Sequence, residues 1–228
     1  MVTVDETTPE EALVAACADV QSDGFELAFE ELYRRYRDRV YSIAYRMTGR
    51  SVDAMDVVQD SFRVLFLKIG SFRFDARFST WLFRIVVNCS IDHQRRNKAA
   101  ARRQGHSLGS IDGTLEPADD RVDPMASAES TELGEHVHRA LGRLSPKLRA
   151  VLVLRYLEGL SYEQLAETLE VQLGTVKSRL ARAHVALEKT LEGSLEAFGY
   201  EPDPRRFGND AGDDASDAST DGRGEGVA

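Results

Sequence analysis

The sequence predicts an all-α protein of two small helical domains joined by a flexible acidic linker, with a helix-turn-helix in the second domain. Apolar residues recur at helical spacing through most of the chain, and no alternating strand pattern is convincing. A stretch rich in glycine, proline and acids separates two helical blocks, at residues 104–130. Residues 159–191 have the pattern of two helices joined by a short turn.

The first half of the chain is predicted to contain four helices. Residues 1–24 form an acidic segment with a short helix. A domain over residues 25–103 then contains three longer helices, from Glu26 to Met47, from about Ser51 to Ile69 and from about Ser79 to Arg103. Gly49 ends the first of the three, and a loop rich in phenylalanine and arginine precedes the last.

The second half begins with the linker, whose 27 residues could span on the order of 90 Å when fully extended. A second domain over residues 131–193 is predicted to contain helices from Thr131 to Leu144 and from Pro146 to Leu157, followed by the helix-turn-helix. Residues 194–228 are rich in aspartate, glycine and serine, which predicts a disordered acidic tail.

The helix-turn-helix pattern carries the first functional signal. Ser161 and Gln164 have the spacing of a capping box at the start of the first helix. The turn is expected to span roughly Glu170 to Gly174, with Thr175 as N-cap of the second helix. The second helix then presents small and basic residues on its outer side, as a DNA-reading helix does: Lys177, Ser178, Arg179 and Arg182. The alternative is a helical hairpin with a solvated basic face.

Division of the net charge of −9 along the chain supports nucleic-acid binding. The acidic segment, the linker region and the tail hold most of the acids, whereas residues 25–106 carry +7 and residues 136–193 carry +3. Two basic modules are therefore joined and flanked by acidic segments, and the salt dependence of DNA binding should follow the basic modules.

The first basic module combines aromatic rings with arginines. Phe72, Phe74 and Phe78 alternate with Arg73 and Arg77, a pattern that suits single-stranded nucleic acid because bases stack on the rings and cations follow the phosphates. One side of the following helix is expected to be exposed, with these residues at spacings of three and four: Trp81, Arg84, Asn88, Asp92 and Arg95. The alternative is that the aromatic residues belong to the core.

Signals for other classes of protein are weak. The two cysteines, Cys17 and Cys89, are far apart, so a disulfide framework or structural zinc is not expected. Cys89 and His93 are a possible metal pair without further ligands, and Asp53, Asp56 and Asp60 resemble solvated helix-surface acids. We expect no catalytic site, no metal, no cofactor and no membrane insertion, and a cytoplasmic protein.

Three segments together resemble bacterial sigma factors of the extracytoplasmic-function (ECF) group. DAMDVVQDSFRVLF and SFRFDARFSTWLFRIVVNCSIDHQRR are similar to the first domain of that family, and LSPKLRAVLVLRYLEGLSYEQLAETLEVQLGTVKSRLARA is similar to the second. The resemblance covers residues 10–103 and 131–193. It implies a non-enzymatic subunit that binds core RNA polymerase, recognises the −35 and −10 promoter elements and helps to melt DNA. An anti-sigma factor is a further implied partner.

The resemblance also implies a role for each matching position. The helix that docks on polymerase corresponds to Asp56, Val57, Gln59 and Asp60. The loop from Phe72 to Thr80 corresponds to the one that captures a flipped base, so the −10 contacts implied are Phe72, Phe74, Phe78, Trp81, Arg84, Asn88, Asp92, Arg95 and Arg96. The −35 contacts implied are Thr175, Lys177, Ser178, Arg179 and Arg182.

Two positions depart from the family pattern. Met55 stands where an acid is usual, so the affinity for core polymerase could differ. Glu170 stands where a glycine normally ends the first helix of the helix-turn-helix, and a non-glycine residue at positive φ would cost roughly 1–2 kcal/mol. The alternative function is a stand-alone helix-turn-helix regulator, which would not require the aromatic-arginine loop beside the Asp56–Asp60 helix.

Overall fold

The computed structural model describes residues 7–103 and 132–191, and these residues form eight α-helices and one 3₁₀ turn without a β-strand. The predicted linker and acidic tail lie outside the described residues. The first block of helices comprises α1 (Glu10–Ala16), α2 (Phe25–Thr48), α3 (Ser51–Lys68), the 3₁₀ turn (Ile69–Ser71) and α4 (Phe78–Arg103). The second block comprises α5 (Glu132–Arg143), α6 (Pro146–Tyr156), α7 (Tyr162–Thr168) and α8 (Leu173–Leu191). The prediction of an all-α fold is confirmed.

The first block is built on the mutual packing of α2, α3 and α4, with α1 against α2. Its apolar faces follow the helical period of the sequence, so fully buried side chains such as Leu32, Leu65 and Leu82 come from all three helices. Gly49 ends α2 in a left-handed conformation with φ of 88°, and its N–H donates to the carbonyl of Tyr45 at 2.8 Å.

The second block packs α5, α6 and α7 around α8. The predicted capping box at the start of α7 is confirmed: the Gln164 N–H donates to Ser161 Oγ at 3.2 Å, and the Ser161 N–H donates to Gln164 Oε1 at 2.8 Å. Leu160 and Leu165 on either side are buried, so the entry of the chain into α7 is fixed by packing as well.

The start of α8 corrects one prediction. Thr175 is not the N-cap, because α8 begins at Leu173 and the carbonyl of Gln172 already accepts the N–H of Thr175 at 2.8 Å. The reason lies in the turn: Glu170 has a left-handed φ of 51°, and the next N–H, of Val171, returns to the carbonyl of Ala166 at 2.9 Å. This reversal redirects the chain early enough for the helix to start two residues before Thr175.

The two blocks share one continuous hydrophobic core, because α2 contacts α5 and α6 while α4 contacts α7. Polar contacts join them as well. Arg39 of α2 pairs with Glu158 after α6, and Arg84 of α4 pairs with Glu170 in the turn before α8. Among the helices described, none combines the length and apolar character needed to cross a membrane.

Candidate nucleic-acid interface

The polar residues of α3 that the resemblance assigns to polymerase docking, Asp56, Gln59 and Asp60, form a stripe on its surface. Asp56 and Gln59 are exposed, and Asp60 is partly exposed. Val57 is fully buried in the core of the first block, which corrects its expected place among direct polymerase contacts. The correction follows from the helical period, since Val57 lies on the same face as the buried Ala54 and Ser61.

Asp60 connects this stripe to α4. Its Oδ2 accepts a hydrogen bond from Arg96 Nη2 at 2.8 Å, and its Oδ1 lies 3.4 Å from Arg63 Nη2. The Arg96 guanidinium is the main reason that the pKa of Asp60 is held below its usual value. Asp60, which is expected to bind polymerase, is thus paired with Arg96, which is expected to bind the −10 element.

Four aromatic rings cluster where the loop before α4 meets the helix. The Phe72 ring centroid lies 5.0 Å from Phe74, 5.8 Å from Phe78 and 5.1 Å from Trp81. Phe74 is half exposed and has a left-handed φ of 58°, an uncommon conformation for a bulky residue that is often found at functional sites. The loop therefore holds one aromatic ring in solvent against a layer of other rings.

Phe78 corrects a second expectation, because it is only 3% exposed and packs edge-on against Tyr36 of α2. It cannot stack on a base without leaving the core. Phe72 and Trp81 are half-buried, so the aromatic residues are neither all core nor all surface.

The outer face of α4 is exposed as predicted at three of its five positions, whereas Trp81 and Arg84 are half-buried. Asn88, Asp92 and Arg95 are exposed, and Arg95 Nη1 lies 3.5 Å from Asp92 Oδ1. Arg84 is different, since its Nη1 donates to Glu170 Oε1 at 2.6 Å across the boundary between the blocks.

The basic face of α8 is presented to solvent. Lys177, Ser178 and Arg182 are exposed, whereas Thr175 and Arg179 are half-buried. The opposite face packs into the second block through Val176, Leu180 and Ala183. Arg182 Nε donates to the carbonyl of Ser178 at 3.1 Å, which aligns its guanidinium along the helix. Residues of this type reach phosphates and guanine edges in the major groove.

Sequence reasoning missed a group at the junction of α3 and α4. His93 Nε2 lies 3.1 Å from Asp53 Oδ1 and 3.0 Å from Asn97 Nδ2, and one ligand atom each from Asp53, Asp56 and His93 lie within 4.8 Å of one another. Such donors could hold a divalent cation. His93 therefore pairs with Asp53 rather than with Cys89, and no spacing rule could have shown a contact across 40 residues.

Sequence reasoning also missed the polar residues that join the two blocks. Contacts with partners 89 to 119 positions away in the sequence are made by four of them: Arg39, His138, Arg149 and Glu158. In the sequence they are ordinary members of charged helices. Among the residues that join the two blocks, only Glu170 could be singled out from the sequence, because its position in a turn predicted the positive φ that the structure shows.

Comparison with known proteins identifies both blocks. The family model described as Sigma-70 region 2 matches residues 32–100, and the model described as Sigma-70, region 4 matches residues 135–187. The ECF RNA polymerase sigma factor SigW of Bacillus subtilis (strain 168) is 34% identical over 170 residues, which cover 74% of this chain and 91% of SigW.

Solved structures give the same result. The chain resembles the sigma factor RpoE from Bartonella quintana in complex with the anti-sigma factor NepR, with 26% identity and a TM-score of 0.57 over 72% of this chain and 96% of RpoE. It also resembles CnrH in complex with the cytosolic domain of CnrY, with 26% identity and a TM-score of 0.55 over 81% and 97% of the two chains.

The match to region 2 argues against a stand-alone helix-turn-helix regulator, which requires no such domain. Region 2 and region 4 follow one another in the order expected from the sequence, and together they account for both helical blocks. The chain belongs to the ECF sigma factors of bacterial RNA polymerase, initiation factors without catalytic activity of their own.

Proposed function

We propose that the two blocks divide promoter recognition between them. Residues 25–103 act as the domain that docks on core RNA polymerase and opens the −10 element, and residues 131–193 act as the domain that reads the −35 element. The observation that carries this proposal is the Asp60–Arg96 ion pair, because it couples the exposed stripe of α3 to the exposed face of α4. Polymerase bound at the stripe would thereby hold the −10 face in a fixed orientation.

Polymerase docking is assigned to Asp56, Gln59 and Asp60, with Val57 supporting them from the core. The two exposed residues offer a carboxylate and an amide on adjacent turns of one rigid helix. Asp60 is already paired with Arg96, so its contribution to docking is to fix the position of the neighbouring helix.

Capture of a −10 base is assigned to Phe74 and Trp81, with Phe72 and Phe78 beneath them. A base that leaves the duplex loses its stacking, and an aromatic platform recovers roughly 1–3 kcal/mol for each base stacked. Arg84, Asn88, Asp92 and Arg95 then line the path of the strand along α4, with Arg96 at its far end. Reading of the −35 element is assigned to the exposed face of α8, with Lys177, Ser178 and Arg179 nearest its start and Arg182 about one turn further along.

The docking assignment is tested with the double variant Asp56→Asn/Gln59→Ala. We expect its affinity for core polymerase to fall about 10-fold or more, because both side chains are exposed and central to the stripe. Lys68→Ala, at the other end of α3, is the matched control. Binding that equals the control, with an unchanged circular dichroism spectrum, would show that polymerase docks elsewhere.

We further propose that an anti-sigma protein holds this chain inactive, and that it acts in the cytoplasm, where promoter DNA is located. Two structural neighbours support the first part, since RpoE was solved with the anti-sigma factor NepR and CnrH with the cytosolic domain of CnrY. Affinity purification of the tagged chain from its own cells, before and after core polymerase is depleted, should yield one stoichiometric partner besides polymerase. Recovery of polymerase alone under every growth condition would argue against an anti-sigma partner.

A further inference from the structure

The fold places His93 of α4 against the first two turns of α3. The His93 side chain is 10% exposed, and its Nε2 atom lies 3.1 Å from Oδ1 of Asp53, whose side chain is 18% exposed. Asp56 lies about one turn further along α3 on the same side, and it is exposed. One ligand atom from each of the three residues lies within 4.8 Å of the other two. Asp53, Asp56 and His93 are called the triad below.

The contacts of His93 Nε2 cannot all be satisfied by one proton. Nε2 faces Asp53 Oδ1, which only accepts, and Asn97 Nδ2 at 3.0 Å, which only donates. If Nε2 carries a proton, its N–H opposes the Asn97 N–H. If Nε2 carries none, its lone pair opposes the Asp53 carboxylate. In either tautomer one contact of a nearly buried nitrogen is unfavourable, which costs free energy. A half-turn of the Asn97 amide would bring a second oxygen to the same point.

The spacing of these atoms matches the coordination shell of a metal ion. Zn²⁺ binds histidine nitrogen and carboxylate oxygen at about 2.0–2.2 Å. Two such ligands 3.1 Å apart subtend about 95° at the ion, the angle between neighbouring ligands in five- and six-coordinate sites. Asp56 completes the set, because an exposed side chain can turn toward the ion without moving the core. Its exposure also provides an entry path and room for water ligands.

The types of ligand favour a divalent transition metal over Mg²⁺ or Ca²⁺. Mg²⁺ and Ca²⁺ take shells of oxygen, whereas an imidazole ligand suits zinc and its neighbours in the periodic table. Two carboxylates balance the charge of one such ion. The thiol of Cys89 is not part of the triad. It lines a separate pocket of about 560 Å³ beside Asp60 and Arg96, and burial raises its pKa.

We propose that the triad is a binding site for Zn²⁺ that bridges α3 and α4, and that bound Zn²⁺ withdraws Asp56 from the docking stripe of α3. The second part rests on the proposed assignment of Asp56 to polymerase docking. By spacing in the sequence, Cys89 with His93 and the aspartates of α3 are two separate and incomplete sets of ligands, so no metal is expected. The fold combines one ligand of the first set with two of the second.

The site is tested with Co²⁺, which takes the same ligands as Zn²⁺ and reports their number and kind through its visible absorbance. Titration of the metal-free full chain with cobalt chloride should give an absorbance that saturates at one equivalent. Zn²⁺ should displace Co²⁺ when added in equal amount, whereas a large excess of Mg²⁺ should not. A charge-transfer band from thiolate to cobalt would mark ligation by a cysteine and would overturn the triad as the site.

Variants of the triad should each lower the affinity for Co²⁺ at least about 10-fold, because even the loss of a residue that only supports a metal ligand costs about 10- to 100-fold. They are Asp53→Asn, Asp56→Asn and His93→Gln. Since Asp56 is exposed, its variant keeps the test independent of folding. Asp38→Asn in α2 and His184→Gln in α8 remove the same groups elsewhere and should bind Co²⁺ as the natural chain does. Unchanged affinity in any triad variant would overturn the site.

Binding of core polymerase tests the withdrawal of Asp56. Saturation of the natural chain with Zn²⁺ should lower its affinity for core polymerase about 10-fold, as removal of an exposed docking contact would. Asp53→Asn keeps Asp56 but loses the metal, so its affinity for polymerase should not respond to Zn²⁺. An equal response in both proteins, or no response in the natural chain, would overturn the withdrawal.

The two kinds of measurement separate this inference from the proposed function. If Asp56→Asn/Gln59→Ala binds core polymerase as tightly as Lys68→Ala does, the docking assignment is contradicted, and the withdrawal of Asp56 from docking is overturned with it. The metal site is judged by the Co²⁺ spectra of the free chain, which involve no polymerase. Saturable Co²⁺ binding that depends on all three triad residues would therefore support the site even then.

Discussion

At the scale of single residues, the loop before α4 shows what a sequence pattern can and cannot resolve. The alternation of phenylalanine and arginine predicted a surface for single-stranded nucleic acid, with burial in the core as the alternative, and the structure brings the rings together in one cluster. It could not indicate that Phe78 is buried against Tyr36 while Phe74 is exposed at positive φ. That difference depends on contacts with α2, which no local pattern encodes.

Phe74 and Phe78 should therefore respond differently to substitution by alanine. Phe78→Ala removes a buried ring and should lower the free energy of unfolding by about 3–5 kcal/mol, as measured by urea denaturation. Phe74→Ala should change that free energy by less than about 1 kcal/mol but slow promoter opening, as measured by permanganate reactivity of unpaired thymines. A large loss of stability in Phe74→Ala would mean that its ring is structural.

Trp81 makes a second prediction at this scale. Trp81→Ala should slow promoter opening by roughly 10-fold, because one stacking platform worth about 1–3 kcal/mol is lost. Binding of polymerase holoenzyme to a closed duplex should change little, which a gel-shift assay at low temperature measures. Equal opening rates in the two proteins would remove Trp81 from the melting step.

At the scale of elements, the helices were predictable because each has a strong apolar period and a recognisable end. The predicted helix from Glu26 to Met47 corresponds to α2 over Phe25–Thr48, and the capping box located α7. The start of α8 was predicted three residues late, because an N-cap at Thr175 would begin the helix at Val176 and α8 begins at Leu173. Thr175 is a good N-cap by residue type, but the left-handed Glu170 reverses the chain earlier than residue preferences indicate.

The basic face of α8 predicts a specific loss of −35 recognition. Arg179→Ala and Arg182→Ala should each weaken holoenzyme binding to a promoter with an intact −35 element, by about 5- to 100-fold. The variants should bind core polymerase normally. Lys189→Ala, exposed near the far end of α8, is the control. Loss of core binding in either arginine variant would contradict the assignment of α8 to DNA.

His138 of α5 stacks on Tyr45 of α2 at the boundary between the two blocks, which predicts that acid weakens their packing. Burial is the main cause that lowers the pKa of His138. The hydrogen bond to the Gly49 carbonyl opposes this shift, and the charges of Arg46 of α2 and Arg149 of α6 add to it. Separation of the blocks would restore the ordinary value of about 6.5, so the separated state binds a proton more readily than the packed state does. The packing should thus be insensitive to His138 above about pH 6.5 and weaken as the pH falls below it.

Double electron–electron resonance between spin labels on Leu67→Cys in α3 and Val185→Cys in α8, both exposed positions, measures this effect as the distance between the two blocks at pH 7.5 and pH 5.5. The long-distance fraction should rise at the lower pH in the protein with His138, and should rise less in His138→Gln, whose neutral amide can still donate to the Gly49 carbonyl. Asp60 and Glu31 remain ionised in this range, because arginine partners lower the pKa of each, to about 2 for Glu31. An equal response in His138→Gln would show that His138 is not the titrating group.

At the scale of the whole molecule, sequence reasoning described two modules, and the structure joins them into one core. The modules could be predicted because their helices and basic faces are local properties of the chain. Their closure could not, because it depends on contacts such as that of Arg149 with Met47, 102 positions away. From the sequence alone, an arginine that will be buried cannot be distinguished from a surface arginine, because its burial depends on a carbonyl far away in the chain.

The length of the linker between the modules determines how far apart their two reading surfaces can move. Residues 104–130 are long enough, when extended, to let the two reading surfaces move from contact to the roughly 85 Å that separates the promoter elements.

The most direct test of this account is transcription by purified core polymerase with and without this chain, on fragments of the source genome, with start sites mapped at single-nucleotide resolution. We expect new start sites that share two upstream motifs at a fixed spacing, and selective loss of the upstream motif's contribution in Arg179→Ala. Tight binding of the chain to duplex DNA, without polymerase binding and without new start sites, would contradict the account.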